Sequence, residues 1–524
     1  MSSIKRKRIQ NKTHKKRPHN NNNNNNNNNK QNGKTKIKTK LNVIRNKYGG
    51  CLSFGGESKN VNKLFGFTSD YNNFDDMSST KKIGHTSSNG FVYKIDYIKD
   101  DYKFSAILKS SSDPESDNLF YEYFVGINFI NKVNLIYPCF VETYKLFVNT
   151  NGDLYNKMKK NIPFDNDLLK ENMISHTIDS LPASIYCTTS ECLSILLQTV
   201  PNPQSLSEYL EEIITVLKRK KRADYVNKRD KKIDMLKEKK EMDTLREEKE
   251  IDTNKIKSLS RSRNKKNKTQ QTWVEWLNWK KPSKEPNSIS KIEMELIQFF
   301  YQVYCPLSYL KYKFTHYDLH DENVLLYRLE DNEYITMRYI YPNKTVIEFN
   351  TSVIIKIIDY GRSFFVSNTD DNRGPVEFKQ TILSEPECNH SRQIHGDYNG
   401  FHYLTDDFSE SDYITPLKNN PSHDLRLLKC IKEKLHSESI QLCLDDLFIK
   451  LKYDKVYGTP SNNKSKQDEV NNVTDVEIHL RKMIQNNNFK NTQTNIFSNP
   501  DFIKIGTLNI YVDKDKNMEY IPII

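Results

Sequence analysis

Strand-like and helix-like hydrophobic patterns alternate along this chain. Between residues 81 and 209 the pattern is mostly strand-like. Phe91-Val92-Tyr93-Lys94-Ile95 and Phe104-Ser105-Ala106-Ile107-Leu108 read as strands, and so do the runs at 139–147 and 192–199. One stretch among them, residues 119–130, carries its apolar residues at helical spacing. The second half opens with an amphipathic, aromatic-rich helix over residues 289–312 that leads to Phe314. Strand-like Val324-Leu325-Leu326-Tyr327 and the run at 353–358 follow. A hairpin is expected between them, turning near Tyr341-Pro342-Asn343-Lys344. Beyond Asp359 the pattern predicts loop to about residue 421, helix over 422–435, polar loop over 455–475 and a last strand over 508–512.

Two segments have no such pattern. Residues 1–50 hold basic clusters, Lys5-Arg6-Lys7-Arg8 and Lys15-Lys16-Arg17, followed by asparagine from 20 to 29. With no apolar face to bury, this tail cannot offset its ordering entropy and reads as disordered. Residues 218–270 are dense in both signs of charge, which predicts either a solvated single helix or a disordered insert. Just beyond, Trp273, Trp276 and Trp279 are spaced along one side of a helix, to dock a partner or to pin the insert back on the body.

These segments change the meaning of the net charge of +13. The tail has 15 Lys and Arg and no acid; residues 218–270 have 21 against 10, so the other 421 residues carry −13. The part able to fold is acidic, and binding to nucleic acid or an acidic partner is expected of residues 1–50. No membrane is expected: the most apolar stretch, 296–310, is broken by Gln298 and Gln302. The charged first eight residues lack the apolar core of a secretory signal. Eight cysteines without a C-x-x-C pair suit reduced thiols inside a cell. Cys388, His390 and His395 match no common zinc spacing and read as loop.

The chemistry concentrates in His316-Tyr317-Asp318-Leu319-His320-Asp321-Glu322-Asn323, which runs straight into an apolar strand. An Asp and an Asn five apart can serve one phosphoryl-transfer centre. The carboxylate orients an attacking hydroxyl, and the amide oxygen ligates a divalent metal. Downstream, a largely aliphatic run ends in Asp359-Tyr360-Gly361, a carboxylate at a strand mouth suited to a second metal ligand. His316 reads as a structural hydrogen-bonding residue of the loop.

With these residues in view, the chain resembles the protein-kinase-like superfamily. H-Y-D-L-H-D-E-N stands where protein kinases have H-R-D-L-x-x-x-N, and D-Y-G stands where they have D-F-G. The segment Ile83-Gly84-His85-Thr86-Ser87-Ser88-Asn89-Gly90-Phe91-Val92 is similar to the glycine-rich phosphate loop, with one extra residue and Thr86 for the middle glycine. Nineteen residues after Gly90, Ala106-Ile107-Leu108-Lys109 resembles the strand whose lysine grips the α- and β-phosphates. Glu122 is the best placed carboxylate to pair with Lys109, with Glu115 as the fallback. Leu196-Leu197-Gln198-Thr199-Val200 resembles the hinge strand that hydrogen-bonds adenine through backbone groups. Ser422-His423-Asp424-Leu425 resembles the helix start whose aspartate braces the catalytic loop. The Asn- and Lys-rich wording is also similar to kinase-like proteins of giant DNA viruses, which implies a host cytoplasm or nucleus, or a virion.

The resemblance covers about residues 81–435 and implies an α+β, two-lobed protein-kinase-like fold: an N-terminal β-rich lobe, a helical C-terminal lobe and a disordered N-terminal tail. The implied units are a tail at 1–50, N-lobe and hinge at 81–216, charged insert at 217–285, C-lobe at 286–440 and remainder or extension at 441–524. The implied activity is transfer of the γ-phosphoryl of ATP to a protein serine or threonine hydroxyl. Asp318 would be catalytic; Gly84, Gly90, Val92, Lys109, Glu122, Gln198 and Val200 would hold ATP; Asn323 and Asp359 would hold Mg2+. Three departures matter. Tyr317 replaces the arginine that clamps a phosphorylated activation loop. His320 stands as in aminoglycoside and choline kinases, which keeps a small-molecule substrate open. No clear A-P-E follows; Glu385-Pro386-Glu387 is a partial match. The irregular glycine loop also leaves open a catalytically inactive kinase-like scaffold with a nucleic-acid-binding tail.

Overall fold

The computed structural model describes residues 74, 77–87, 90–99, 102–111, 119–176, 193–200, 203–255, 290–329, 331–366, 401–404, 411–414, 419–438, 442–452, 469–513 and 516–523. The basic tail, Ser88 and Asn89 of the glycine loop, Glu115, the three tryptophans, Glu385-Pro386-Glu387 and the Cys388 group lie outside them.

The first half is an antiparallel sheet of β1 (Met77–Ser87), β2 (Gly90–Lys99), β3 (Tyr102–Ser110), β4 (Thr143–Asn149), β5 (Met173–His176) and β6 (Leu193–Gln198). Its spatial order is β1-β2-β3-β6-β4-β5. Period-two alternation explains how both faces are covered. Phe91, Tyr93, Ile95, Ala106 and Leu108 bury against α2 (Gly152–Lys159) and α3 (Asp167–Asn172), with Leu154, Tyr155, Met158 and Leu169 as the facing residues. The opposite face carries Leu146, Ile195 and Leu197 toward α1 (Leu119–Val125), every residue of which is buried. α1 runs on through a π-helical turn, Gly126–Ile130.

From β6 the chain passes through β7 (Gln204–Ser205) into α4 (Leu206–Lys255), one uninterrupted helix of 50 residues. Its first turns bury Leu206, Leu210 and Ile213; from Val226 onward every side chain described is exposed. The expected boundary between 216 and 217 therefore needs correcting, because it falls inside α4. The apolar face ends there but the helical backbone runs on to Lys255, and the single helix is the alternative found, exposed wherever its side chains are described between Val226 and Met242.

α5 (Lys291–Leu310) organises the second half. A Ser290–Glu293 capping box starts it, and its aromatic residues are buried over most of its length. β8 (Phe314–Thr315), β9 (Val324–Arg328), β10 (Glu333–Ile340), β11 (Val346–Thr351), β12 (Val353–Ile357) and β13 (Phe364–Phe365) follow, then the hairpin β14 (Phe401–Leu404) and β15 (Ser411–Ile414). Next come α6 (Arg426–Ser437), α7 (Asp445–Lys450), α8 (Val473–Gln485), α9 (Asn487–Phe497), β16 (Ile503–Tyr511) and β17 (Glu519–Pro522). The hairpin expected around Pro342 is β10–β11, and it recruits the C-terminal strands into a sheet ordered β11-β10-β16-β17, with β10 and β16 parallel.

The architecture is mixed α+β, as expected, but the C-terminal part is not helical alone. The apolar alternation of β10 and β11 demanded a sheet partner, and the chain supplies it from its far end. Residues 441–524 are accordingly part of the core: Val473, Val476 and Leu480 of α8 bury in the same apolar cluster as α5. Among the described residues no helix is long and apolar enough to cross a membrane.

Candidate active site

Lys109 lies near the end of β3, across the ladder from Val92 on β2 and from Ile195 on β6. Its Nζ is 2.6 Å from a Glu122 carboxylate oxygen and 3.2 Å from Asp359 Oδ1. α1 reaches this position because Gly126 lets it close on β4: a Cβ there would lie 2.1 Å from Thr143 Oγ1. Tyr121, next to Glu122, donates its hydroxyl to the Ser363 carbonyl at 2.7 Å and ties α1 to the segment after Asp359. Burial pushes the Glu122 carboxyl up to about 7; Lys109 opposes this and Asp359 adds to it.

Asp359 has a left-handed backbone, φ 67°, at the mouth of β12. The next residue, Tyr360, is buried in the apolar cluster, donates to the Ile357 carbonyl at 2.5 Å and accepts the Val141 N–H at 2.8 Å. The turn turns one residue inward to be locked and leaves the carboxylate at the lysine.

The loop from His316 to Asn323 is held from below and from within. Asp424, at the start of α6, accepts the backbone N–H groups of His316 and Tyr317, each at 3.0 Å. Burial raises its carboxyl to about 7, and those two N–H groups pull it back down. His316 sits 3.0 Å from the Ile358 carbonyl through Nε2 and accepts the Asp318 N–H through Nδ1. Nε2 therefore carries the proton, and burial lowers the pKa of this neutral ring. Tyr317, where the resemblance has arginine, is fully buried with its ring edge-on to His423 at 5.0 Å. Aromatic packing occupies the place of an electrostatic clamp.

Asn323 donates its amide N–H to the Asp318 carbonyl at 2.9 Å, closing the loop on itself. Asp318 Oδ1 takes Arg426 at 2.9 Å and has His320 Nε2 at 3.5 Å; its Oδ2 faces Arg362 at 3.9 Å. The two guanidiniums were not among the sequence candidates. Arg426 stands two residues after the bracing Asp424, and Arg362 directly follows D-Y-G. Nothing local in either string says that the side chain reaches Asp318.

The nucleotide-side candidates divide. Gly90 has φ 151°, and a Cβ there would lie 2.4 Å from the Ser110 carbonyl oxygen; Gly84 has φ 64° with open space around it. The β1–β2 ladder is irregular between Ile83 and Ser87, which accommodates the extra loop residue. Gln198 is engaged within the protein: its backbone N–H goes to the Glu142 carbonyl at 2.8 Å and its Oε1 accepts the Glu142 N–H at 3.1 Å. That N–H fastens β6 to the neighbouring segment. The backbone groups of Thr199 and Val200, just beyond, make no hydrogen bond among the described residues.

Among the described residues no three His, Cys, Asp or Glu side chains gather as a metal cage. Mg2+ requires none, because it binds through one or two protein oxygens, water and substrate phosphates. Asn323 Oδ1, which accepts no hydrogen bond among the described residues, and the Asp359 carboxylate are hard oxygen donors of that kind. The residues present fit the ion.

No family model matches the chain, and no curated protein matches it. The case for its chemistry rests on the residues themselves.

Proposed function

We propose that the chain is an ATP-dependent phosphotransferase of the protein-kinase type, acting on a serine or threonine hydroxyl of a protein. The observation that carries this reading is the meeting of Lys109 with Glu122 and Asp359, within 2.6 and 3.2 Å, beside a loop in which Asn323 is tied to Asp318. A lysine on the third strand paired with a glutamate on the following helix is the ion pair that protein kinases need in place for catalysis. In this reading the six-stranded sheet and the α5-centred part form two lobes with ATP between them. Thr199 and Val200 offer backbone groups to adenine, and Gly84, Gly90 and Val92 lie over the phosphates.

Lys109, oriented by Glu122, holds the α- and β-phosphates, and Asn323 and Asp359 would hold Mg2+. When bound, that ion neutralises charge developing on the β- and γ-phosphate oxygens. The acceptor oxygen attacks the γ-phosphorus, the bond to the β–γ bridging oxygen breaks, and ADP leaves with that electron pair. The hydroxyl proton passes to Asp318. A carboxylate held by Arg426 at 2.9 Å is fixed in position to aim the hydroxyl. That suits a loose transition state, in which the nucleophile needs little activation.

His320 at 3.5 Å from Asp318 favours one second reading, a kinase of small alcohols. Cys139, Cys305, Cys430 and Cys443 are all free thiols, in keeping with an intracellular setting. The test is transfer from radiolabelled ATP by the purified chain with Mg2+, using protein and small-alcohol acceptors, beside the Asp318→Asn variant. Label on neither acceptor class, or equal labelling by the variant, would sink the assignment. Label on the small alcohol alone would select the second reading.

A further inference from the structure

Where α4 leaves the body, Lys218 pairs with Glu438 at 2.6 Å. From there to residue 240 the helix carries twelve Lys and Arg against four Asp and Glu. At ~100° per residue the acids keep to one side of the helix, where Lys220 and Lys231 also fall, and leave the other side with basic charge alone. Positions 221, 222, 228, 229, 232, 239 and 240, all Lys or Arg, fall on one arc of about 120°. The acids, Asp224, Asp230, Asp234 and Glu238, all fall on the arc opposite. The result is a straight cationic stripe about 29 Å long, on a helix that is exposed on all sides from Val226 to Met242 wherever its side chains are described.

We propose that this stripe is a nucleic-acid-binding face that takes the phosphate backbone of a duplex without reading its sequence. A linear row of cations matches a linear row of phosphates, and a duplex presents one negative charge per ~1.7 Å of axis. The stripe spans about eight base pairs. A helix lying on a membrane is the poorer match, because it needs an apolar face opposite its basic one, and here that face is acidic. The charge segregation also separates this segment from the distal end of α4, where residues 241–252 carry two bases and six acids.

The experiment uses the full chain, so that the basic tail contributes equally to every arm. Binding of a mixed-sequence duplex longer than the stripe is measured against salt for three proteins. These are the parent, the stripe variant Lys228→Gln/Arg229→Gln/Lys232→Gln, and a control, Arg219→Gln/Lys231→Gln/Lys237→Gln. The control removes the same net charge from positions off the stripe, and glutamine keeps helix propensity in both. The stripe variant should flatten the log–log salt slope by about 2.7 and weaken binding on the order of 10²-fold at physiological salt. The control should lose about three-fold or less, and phosphoryl transfer should be unchanged in both. Equal losses in the two variants would reduce the effect to bulk charge and overturn the proposal. No loss in the stripe variant, or no duplex binding by the parent, would overturn it too. Equally tight, equally salt-dependent binding of polyglutamate would assign the stripe to an acidic protein instead.

Discussion

Lys109 and Lys237 are the same residue in opposite physical situations. The Lys109 side chain is 17% exposed and sits between Glu122 and Asp359, which arrive from a helix and from a strand end far along the chain. Lys237 is 72% exposed, and Asp234, one helical turn back, is 3.8 Å away. In the first place the pair is largely shielded from water, so each charge fixes the position of the others and its loss leaves a buried group unpaired. In the second place water and salt screen the interaction within about 8 Å, so the pair contributes little and the charges act on what lies outside the protein. A net charge of +13 sums these two populations and describes neither.

The widest separation between the two regions should come from Asp318→Asn. It keeps the shape of the side chain and the Asn323 bond to the backbone carbonyl, but removes the charge that, in the proposed function, aims the acceptor. Loss of a group in this role costs on the order of 10²–10⁴ in rate. Turnover should fall by that much while ATP with Mg2+ still raises the melting temperature as in the parent. A variant as fast as the parent would make Asp318 an ordinary loop residue. No neutralisation confined to α4 should approach this effect on turnover.

Glu122→Gln comes next, and it has a pH signature. Burial has raised this carboxyl to about 7, so it becomes ionised, and able to orient Lys109, only as pH rises through that value. Transfer at limiting ATP should therefore climb between pH 6 and 8, by this group's titration alone. The glutamine variant should lose on the order of 10²-fold, the scale of a misplaced catalytic group, and should lack that rising limb. Stability should run the other way. The folded chain holds a proton that the unfolded chain releases above its ordinary pKa, so this group's contribution is lost as pH rises toward 7. A parent whose activity is flat across this range would remove Glu122 from the lysine pair.

The sequence made much of this legible and hid a definable remainder. Asp318, Asn323 and Asp359 could be picked out because short loops between apolar strands are local features, and Glu122 because a helix follows its strand at close range. The partners of Asp318 could not be found in this way. Arg426 is 108 residues away and Arg362 belongs to a different loop, so only tertiary packing places them on the carboxylate. The same limit hid the parallel pairing of β10 with β16: a period-two pattern says that a strand needs neighbours, not which ones. In α4 the reverse happened. Apolar residues stop after the first turns, which reads as a boundary, yet the backbone has no reason to stop being helical where it stops being buried.

Smaller effects distinguish two glycines on either side of the β1–β2 turn. Gly90→Ala would drive a Cβ to 2.4 Å from a backbone oxygen of β3 at φ 151°, next to the Phe91–Ser110 pair of the β2–β3 ladder. A cost of about 2–3 kcal/mol is expected, at the upper end for a strained backbone position. Gly84→Ala meets only its φ of 64°, with nothing nearby, and should cost about 1 kcal/mol. Urea unfolding of both variants checks the order. Equal costs would mean that conformation alone, and not the close approach to β3, requires glycine at residue 90.

The smallest expected effect lies in the outer part of α4, and it closes the comparison with Lys109. Lys237→Ala removes one member of an exposed pair and replaces it with the best helix former. The lost ion pair and the gained propensity are each a few tenths of a kcal/mol and opposite in sign. The unfolding midpoint should therefore stay within about 0.5 kcal/mol of the parent, and it should do so equally at low and high salt. A loss of 2 kcal/mol or more, the scale of a buried pair, would mean that Lys237 is covered in the folded protein. In that case α4 would not be a solvated arm at all, and the contrast with Lys109 would fail.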